Sequence, residues 1–192
     1  MQMAQPAVSS VQYVMDKKLS QFTAQAFASG MVSVVAHSPK VAIRDWTGDV
    51  RFVPDSLKDA TLLIRGKTTT LEVLDELRES DRRELHRVMY QEVLEVAKFP
   101  EFAFESTGIT ADKQSAGLYR VNVTGKLTLH GVTNPHSFFA QVAFGVDSFR
   151  AHGDFTVLQT DYGLKIASIA GGSLKLQDEL KCSFYAVARK QG

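Results

Sequence analysis

The chain has 192 residues, with 22 Lys plus Arg against 21 Asp plus Glu and a formal net charge of +1, so it carries no global field to draw a polyanion and nucleic acid is not an expected partner. Its length suits one barrel or sandwich domain. The single cysteine, Cys182, excludes an intramolecular disulfide, and no apolar run approaches the roughly 18 residues of a membrane-spanning helix.

Residues 1–10 read as a flexible lead-in and 11–190 as the folded unit. The opening MQMAQPAVSSVQYVMDKK has neither a basic region nor an apolar core, so it does not read as a signal peptide; the cytoplasm is the expected location, with the periplasm or secretion the alternative if a leader has been removed. Apolar residues first occupy odd positions (Val11, Tyr13, Met15) and, after Ser20, even ones (Phe22, Ala24, Ala26), which predicts two strands of period two. His37, before Ser38-Pro39, marks a break between two apolar runs and is a candidate for meeting a ligand's polar end at a strand terminus. Trp46, Gly48, Val50 and Phe52 then alternate with polar residues, as do Ala60, Leu62 and Ile64 ahead of Gly66.

The period changes over 80–96, where Leu85, Val88, Met89, Val93 and Val96 fall at helical spacing. Asp81 stands three residues before Glu84 as in a capping box. This predicts one helix covering an end or side of a sheet. Strands resume with Phe102 and Phe104, a turn is expected over 111–117, and a strand over 119–131 with Val121, Val123, Gly125, Leu127 and Leu129 on its apolar face. The following Gly-Val-Thr-Asn-Pro reads as its closing turn, because Pro135 lacks a ladder donor and biases Asn134 away from helix. His136, Phe138, Ala140, Val142 and Phe144 continue, then Phe155, Val157 and, by the same alternation, Gln159. Leu174, Leu176, Leu180, Cys182, Phe184 and Ala186 finish, with turns at 145–148 and 171–173.

Seven or eight strands and one helix give an all-β antiparallel architecture, barrel or sandwich, and periodicity does not choose between them. The inward set mixes large rings with small residues, which fits either tight core packing or room for a thin chain. Cys182 lies in an apolar alternation and is expected to be a buried, inert thiol. His37, His86, His130, His136 and His152 show no metal-ligand spacing, and His130 and His136, flanking the turn, are expected to be surface or satisfied histidines. There is no GxSxG elbow, GxGxxG or P-loop, so an enzyme has little support.

The stretch GKLTLHGVTNP, from Gly125 to Pro135, resembles the LTIRGVTKPV signature of the YceI-like family. HSPKVAIRDWTGDVRF from His37, KFPEFAFES from Lys98 and FTVLQTDYGLK from Phe155 agree in order and spacing, so the resemblance spans about Tyr13 to Ala188. It implies a lipocalin-like eight-stranded barrel that sequesters a polyisoprenoid, with no obligatory cofactor beyond a bound isoprenoid lipid or quinone. Phe22, Ala24, Trp46, Val50, Phe52, Leu62, Ile64, Phe102, Phe104, Val121, Val123, Leu127, Leu129, Phe138, Phe144, Phe155, Val157, Gln159, Leu176, Phe184 and His37 are then the expected ligand contacts. A transient membrane or delivery partner and a homodimer are compatible with that reading. An enzyme acting on a quinone or lipid, and a structural barrel with a filled core, are the rivals.

Burial contributes about 0.8 kcal/mol per methylene-sized group, so a five-carbon unit contributes at most roughly 4 kcal/mol, against about 4 to 15 kcal/mol for association. Only several units bind usefully, which favours a long chain over a small terpene. Where the family often carries R-x-D-F-G, this chain has Gln159-Thr160-Asp161-Tyr162-Gly163. An amide supplies no charge for a phosphate, so the departure favours a neutral head group such as a quinone, with Gln159 expected to hydrogen-bond it.

Overall fold

The computed structural model describes residues 10–29, 38–53, 57, 59–169 and 174–191. The expected flexible segment 1–10 therefore lies outside the described residues apart from Ser10, as do His37 and the turn expected at 171–173. The described strands are β1 (Val11–Met15), β2 (Gln21–Ala28), β3 (Lys40–Ile43), β4 (Trp46–Phe52), β5 (Thr61–Lys67), β6 (Leu71–Val73), β7 (Glu101–Ser115), β8 (Leu118–Leu129), β9 (Val132–Phe144), β10 (Ser148–Leu158), β11 (Ser168–Ile169) and β12 (Leu174–Lys190).

These strands form a closed antiparallel barrel of eight staves. Around the ring the order runs β1, β4, β5, β7, β8, β9, β10, β12, and β12 closes it by pairing with β1. Three staves are long strands broken near their middles. β1 continues into β2, β3 into β4, and β5 into β6 through a short 3-10 turn, Thr68–Thr70. The pairing of β2 with β12, β3 with β2 and β6 with β3 carries the same neighbours past each break. The switch of apolar parity between Met15 and Phe22 is the sequence signature of the first break.

Asp45 gathers the three breaks. Its carboxylate lies 3.0 Å from the ammonium of Lys17, in the β1–β2 turn, and 3.0 Å from that of Lys67, at the end of β5. The hydrogen bonds from Lys67 and then Lys17 hold the Asp45 carboxyl below the usual carboxylate range. Its backbone N–H donates to Thr70 Oγ1 at 2.9 Å, and the Lys67 N–H donates to its carbonyl at 2.9 Å.

The helix is shorter than the expected 80–96 and begins without the expected capping box. An α-helix, α1 (Glu79–Arg87), runs into a π-helical turn, Val88–Val93. No side chain caps the first turn at Arg78. The helix stops before Val96 because Glu95 takes a left-handed backbone, φ 43°, which a right-handed helix cannot continue through. Tyr90 anchors the segment by donating from Oη to the carbonyls of Thr69 and Leu71, at 2.9 and 2.8 Å. Val93 and Leu94 pack against the buried cluster of Val157, Tyr162 and Leu164, on which Leu127 and Leu129 also pack. The segment thus covers one end of the barrel.

Two turns also differ from expectation. β7 continues to Ser115, and the expected 111–117 turn shrinks to its end, where Gly117 holds φ 73°. The β8–β9 connection is His130-Gly131, both with positive φ (52° and 74°), the twist that suits a two-residue hairpin. Val132, Thr133, Asn134 and Pro135 therefore belong to β9, with Pro135 opposite Lys126. β9 pairs with β10 only over residues 141–144, so Pro135 sits where β8 is the sole ladder neighbour, an edge-like setting that tolerates a missing donor.

The other end is closed by rings. Tyr13 stacks on Phe52 at 5.1 Å between centroids, Phe52 meets Phe144 edge-on at 5.5 Å, and Tyr119 meets Phe144 at 5.6 Å. Aromatic pairs in such geometries add roughly 0.5 to 1.5 kcal/mol each beyond area burial.

Candidate functional site

Between the helical cover and the aromatic floor lies one cavity of about 330 Å³, within the range of ligand sites. The pleat makes it: inward positions of every stave face it, and glycines fit large rings into the wall. A Cβ on Gly66 would overlap the Phe102 ring, one on Gly125 the Phe104 ring, and one on Gly153 the Phe184 ring. These glycines let the rings lie flat against neighbouring backbone instead of filling the bore.

Nearly all the expected contact residues face this space. Phe22, Ala24, Val50, Phe52, Leu62, Ile64, Phe102, Phe104, Val121, Val123, Leu127, Leu129, Phe138, Phe144, Phe155, Val157, Gln159, Leu176 and Phe184 line it. Trp46 does not. It is buried, and its ring meets Phe22 edge-on at 4.6 Å, behind the lining. His37 lies outside the described residues.

Several lining residues were not in the expected set. Leu85, Val88, Met89, Val93 and Leu94 roof the cavity. Phe149 and Ala151 add to the wall from β10, where the odd-position alternation that reaches Phe155 and Val157 already begins. His136 and Cys182 also line it.

Among the described residues no Lys, Arg, Asp or Glu lines the cavity. Its polar lining residues are few, and most are already engaged. Thr23 Oγ1 donates to the Ser183 carbonyl at 3.5 Å, Thr68 Oγ1 to the Phe99 carbonyl at 2.7 Å, and Ser183 Oγ to Asp154 at 2.6 Å. Gln159 points inward, as expected, but its amide does not await a ligand. Nε2 donates to the carbonyls of Gln177 and Asp178, at 2.9 and 3.3 Å. Its two hydrogens are thereby used, which removes the expected donor to a quinone carbonyl. The same arm is clamped by Asp178, which accepts from the Thr160 N–H and hydroxyl at 2.9 and 2.6 Å and is held below the usual carboxylate range by those bonds.

Two titratable groups in the wall are shifted by burial alone. Burial pushes the Cys182 thiol up to about 12, so it stays a protonated, inert thiol, and burial pushes the His136 imidazole down, so it stays neutral. His136 meets the Phe155 ring edge-on at 5.2 Å, and its Nε2 is shielded from water without a hydrogen-bond partner. His130 is satisfied, one of the two settings expected for it: Nδ1 lies 3.2 Å from the Tyr162 carbonyl and its ring packs against Phe99. No three His, Cys, Asp or Glu side chains gather as a metal site among the described residues.

Comparison with known proteins follows this architecture. The model of a family described as "YceI-like domain" matches residues 5–188. A UPF0312 protein of Pseudomonas savastanoi pv. phaseolicola is 29% identical over 185 residues, covering 93% of this chain and 87% of that protein. Another, from Pseudomonas syringae pv. tomato, is 30% identical over 160 residues, covering 80% and 76%. The solved structure of BcnA from Burkholderia cenocepacia superposes with a TM-score of 0.70 at 17% identity, covering 90% of this chain and 98% of that one. A polyisoprenoid binding domain from Saccharophagus degradans, implicated in plant cell wall breakdown, gives 0.66 at 12% identity, covering 93% and 98%. At such identities the structural likeness carries the fold alone.

Proposed function

Because the chain belongs to the YceI-like family, we propose that its barrel binds one long apolar lipid, an isoprenoid in the first instance, for storage or transfer. The observation that carries the reading is the lining: a cavity of about 330 Å³ with no charged side chain among the described residues. Such a wall rewards apolar area and offers nothing to balance a phosphate, whose burial without a partner is costly. A polyprenyl or fatty chain with a neutral head satisfies both conditions. The structural likeness to a polyisoprenoid binding domain agrees with this class of ligand.

Neither rival fits as well. A filled core would leave no such volume. A catalyst would need an acid, base or nucleophile with a charge partner, whereas Cys182 and His136 are shifted by desolvation only.

Native mass spectrometry of gently purified protein tests the proposal. A bound mass matching a neutral isoprenoid or fatty lipid is the expected result. Bare chain from several preparations, together with no uptake of a fluorescent isoprenoid, overturns it.

A further inference from the structure

The polar atoms of the cavity are unevenly placed and unevenly satisfied. Along the staves, Thr68 and Gln159 stand near the helical cover, and Thr23, Cys182, Ser183 and His136 stand near mid-depth. Toward the aromatic floor the wall is hydrocarbon: Phe52, Leu62, Val142, Phe144, Phe149. Of the polar nitrogens and oxygens in this lining, His136 Nε2 is the one that is buried without a partner among the described residues.

An orphaned imidazole nitrogen is a cost. Removing such a group from water without a hydrogen bond is unfavourable by more than most single contacts repay. Nothing in the packing explains its presence: His136 faces Gly125 across the β8–β9 ladder, with the Phe104 ring over that glycine and Phe155 against the imidazole edge. A valine or leucine would suit these surroundings better. The imidazole stays neutral there, so one ring nitrogen carries a hydrogen to donate and no charge needs balancing. Nε2 is shielded in the structure, so donating into the bore requires the imidazole to rotate about χ2, which is broad for histidine.

Resting on the lipid-binding reading, we infer that His136 is the hydrogen-bonding point for the cargo, its Nε2–H donating to a neutral oxygen on a long apolar chain. The oxygen then lies at mid-depth on the side of the helical cover, and the hydrocarbon runs to the aromatic floor. A hydroxyl and a carbonyl share the required acceptor chemistry. A pure hydrocarbon lacks it, and a phosphate brings a charge that the wall does not match.

The test uses three probes of one branched C20 skeleton, an alcohol, a ketone and the hydrocarbon, with wild type, His136→Leu and His136→Gln. In wild type the oxygenated probes bind more tightly than the hydrocarbon by roughly three- to tenfold, the worth of one net hydrogen bond. His136→Leu removes that preference while hydrocarbon affinity is kept, and His136→Gln, which restores a donor, retains part of it. Equal preference of the alcohol and of the ketone identifies the shared acceptor; preference for only one identifies the head group. The empty Leu variant is at least as stable as wild type, since it loses an unpaired polar group. In labelled wild type, the His136 Nε2 resonance shifts on adding the alcohol and not the hydrocarbon. The same alcohol-to-hydrocarbon ratio in wild type and His136→Leu, or an unmoved Nε2 resonance, overturns the assignment. If wild type binds none of the three, the lipid-binding reading itself fails, and this inference with it.

Discussion

Glu95 Oε2 lies 3.3 Å from His130 Nε2, and both residues hold left-handed backbone, φ 43° and 52°. Two non-glycine residues in that region are costly, and their meeting ties the end of the helical cover to the β8–β9 turn. The first prediction is that this contact restrains the cover. Glu95→Ala keeps the strained backbone and removes the carboxylate, so amide exchange over residues 79–93 and release of a bound fluorescent lipid are both expected to quicken. Unchanged exchange and release would show that the cover is held elsewhere.

The same carboxyl supplies a pH dependence with a definite sign. The Lys98 hydrogen bond, with His130 adding to it, holds Glu95 below the usual carboxylate range. Its contribution is fully present above the unfolded value of about 4.3 and is lost as pH falls through the lower folded value. Cover opening, followed by exchange at decreasing pH, is expected to rise in that acid window in wild type and to rise less in Glu95→Gln.

The glycines of the wall make a graded series. At Gly125 a Cβ meets the Glu105 carbonyl as well as the Phe104 ring, and at Gly153 it meets the Phe139 carbonyl and the Phe184 ring at 2.9 Å. At Gly48 it meets only the flexible Met15 side chain. Backbone yields less than a thioether, so Gly125→Ala and Gly153→Ala should each cost about 1 to 3 kcal/mol, the range of overpacking, and Gly48→Ala less. Urea denaturation of the three variants ranks them, and Gly48→Ala emerging as the most damaging would refute the close-approach argument.

Gln159 is expected to matter for stability and not for head-group choice. Gln159→Leu takes the amide donor from the Gln177 carbonyl, at a cost of about 1 to 3 kcal/mol, while the Asp178 carbonyl keeps the backbone N–H of residue 159 at 3.0 Å. The variant should denature earlier yet keep the wild-type ratio of affinities for two lipids that share a tail and differ in head group. A changed ratio would return Gln159 to the site.

Ala140 and Ala151 line the bore as small residues on neighbouring staves. Ala140→Leu adds volume inside a cavity that has room for it, so uptake of a fluorescent isoprenoid should fall while the denaturation midpoint moves little. Undiminished uptake would place the ligand outside the barrel.

Much of this wall was legible in the chain because alternation is local. Phe102 with Phe104, and Val121, Val123 and Leu127 along β8, can be read from period two alone, and each lines the cavity. What was not legible depends on partners far away in sequence. Gln159 looks like a free inward amide until the carbonyls of residues 177 and 178 are placed against it. His136 resembles any surface or satisfied histidine, since the lack of a partner is a property of three-dimensional surroundings. The hairpin at His130-Gly131 is not legible in the sequence, because a proline four residues on is a stronger local signal than a non-glycine residue with positive φ. Trp46 obeys the alternation and still misses the cavity, because Phe22 stands in front of it.

The seam that completes the ring joins the beginning of the folded unit to its end: Tyr13 faces Lys190, and Phe22 faces Phe184. Every other stave pairs with the one that follows it along the chain, but this ladder must gather partners separated by nearly the whole sequence, the kind of contact that forms slowly. On a ribosome, the interior wall would remain a curved, open trough until Leu174–Lys190 emerged to slot between β10 and β2. Refolding from urea should therefore be slow, and a lipid added before dilution should be enclosed more completely than one added afterwards. Equal loading in the two orders of addition would indicate that cargo enters the finished barrel freely.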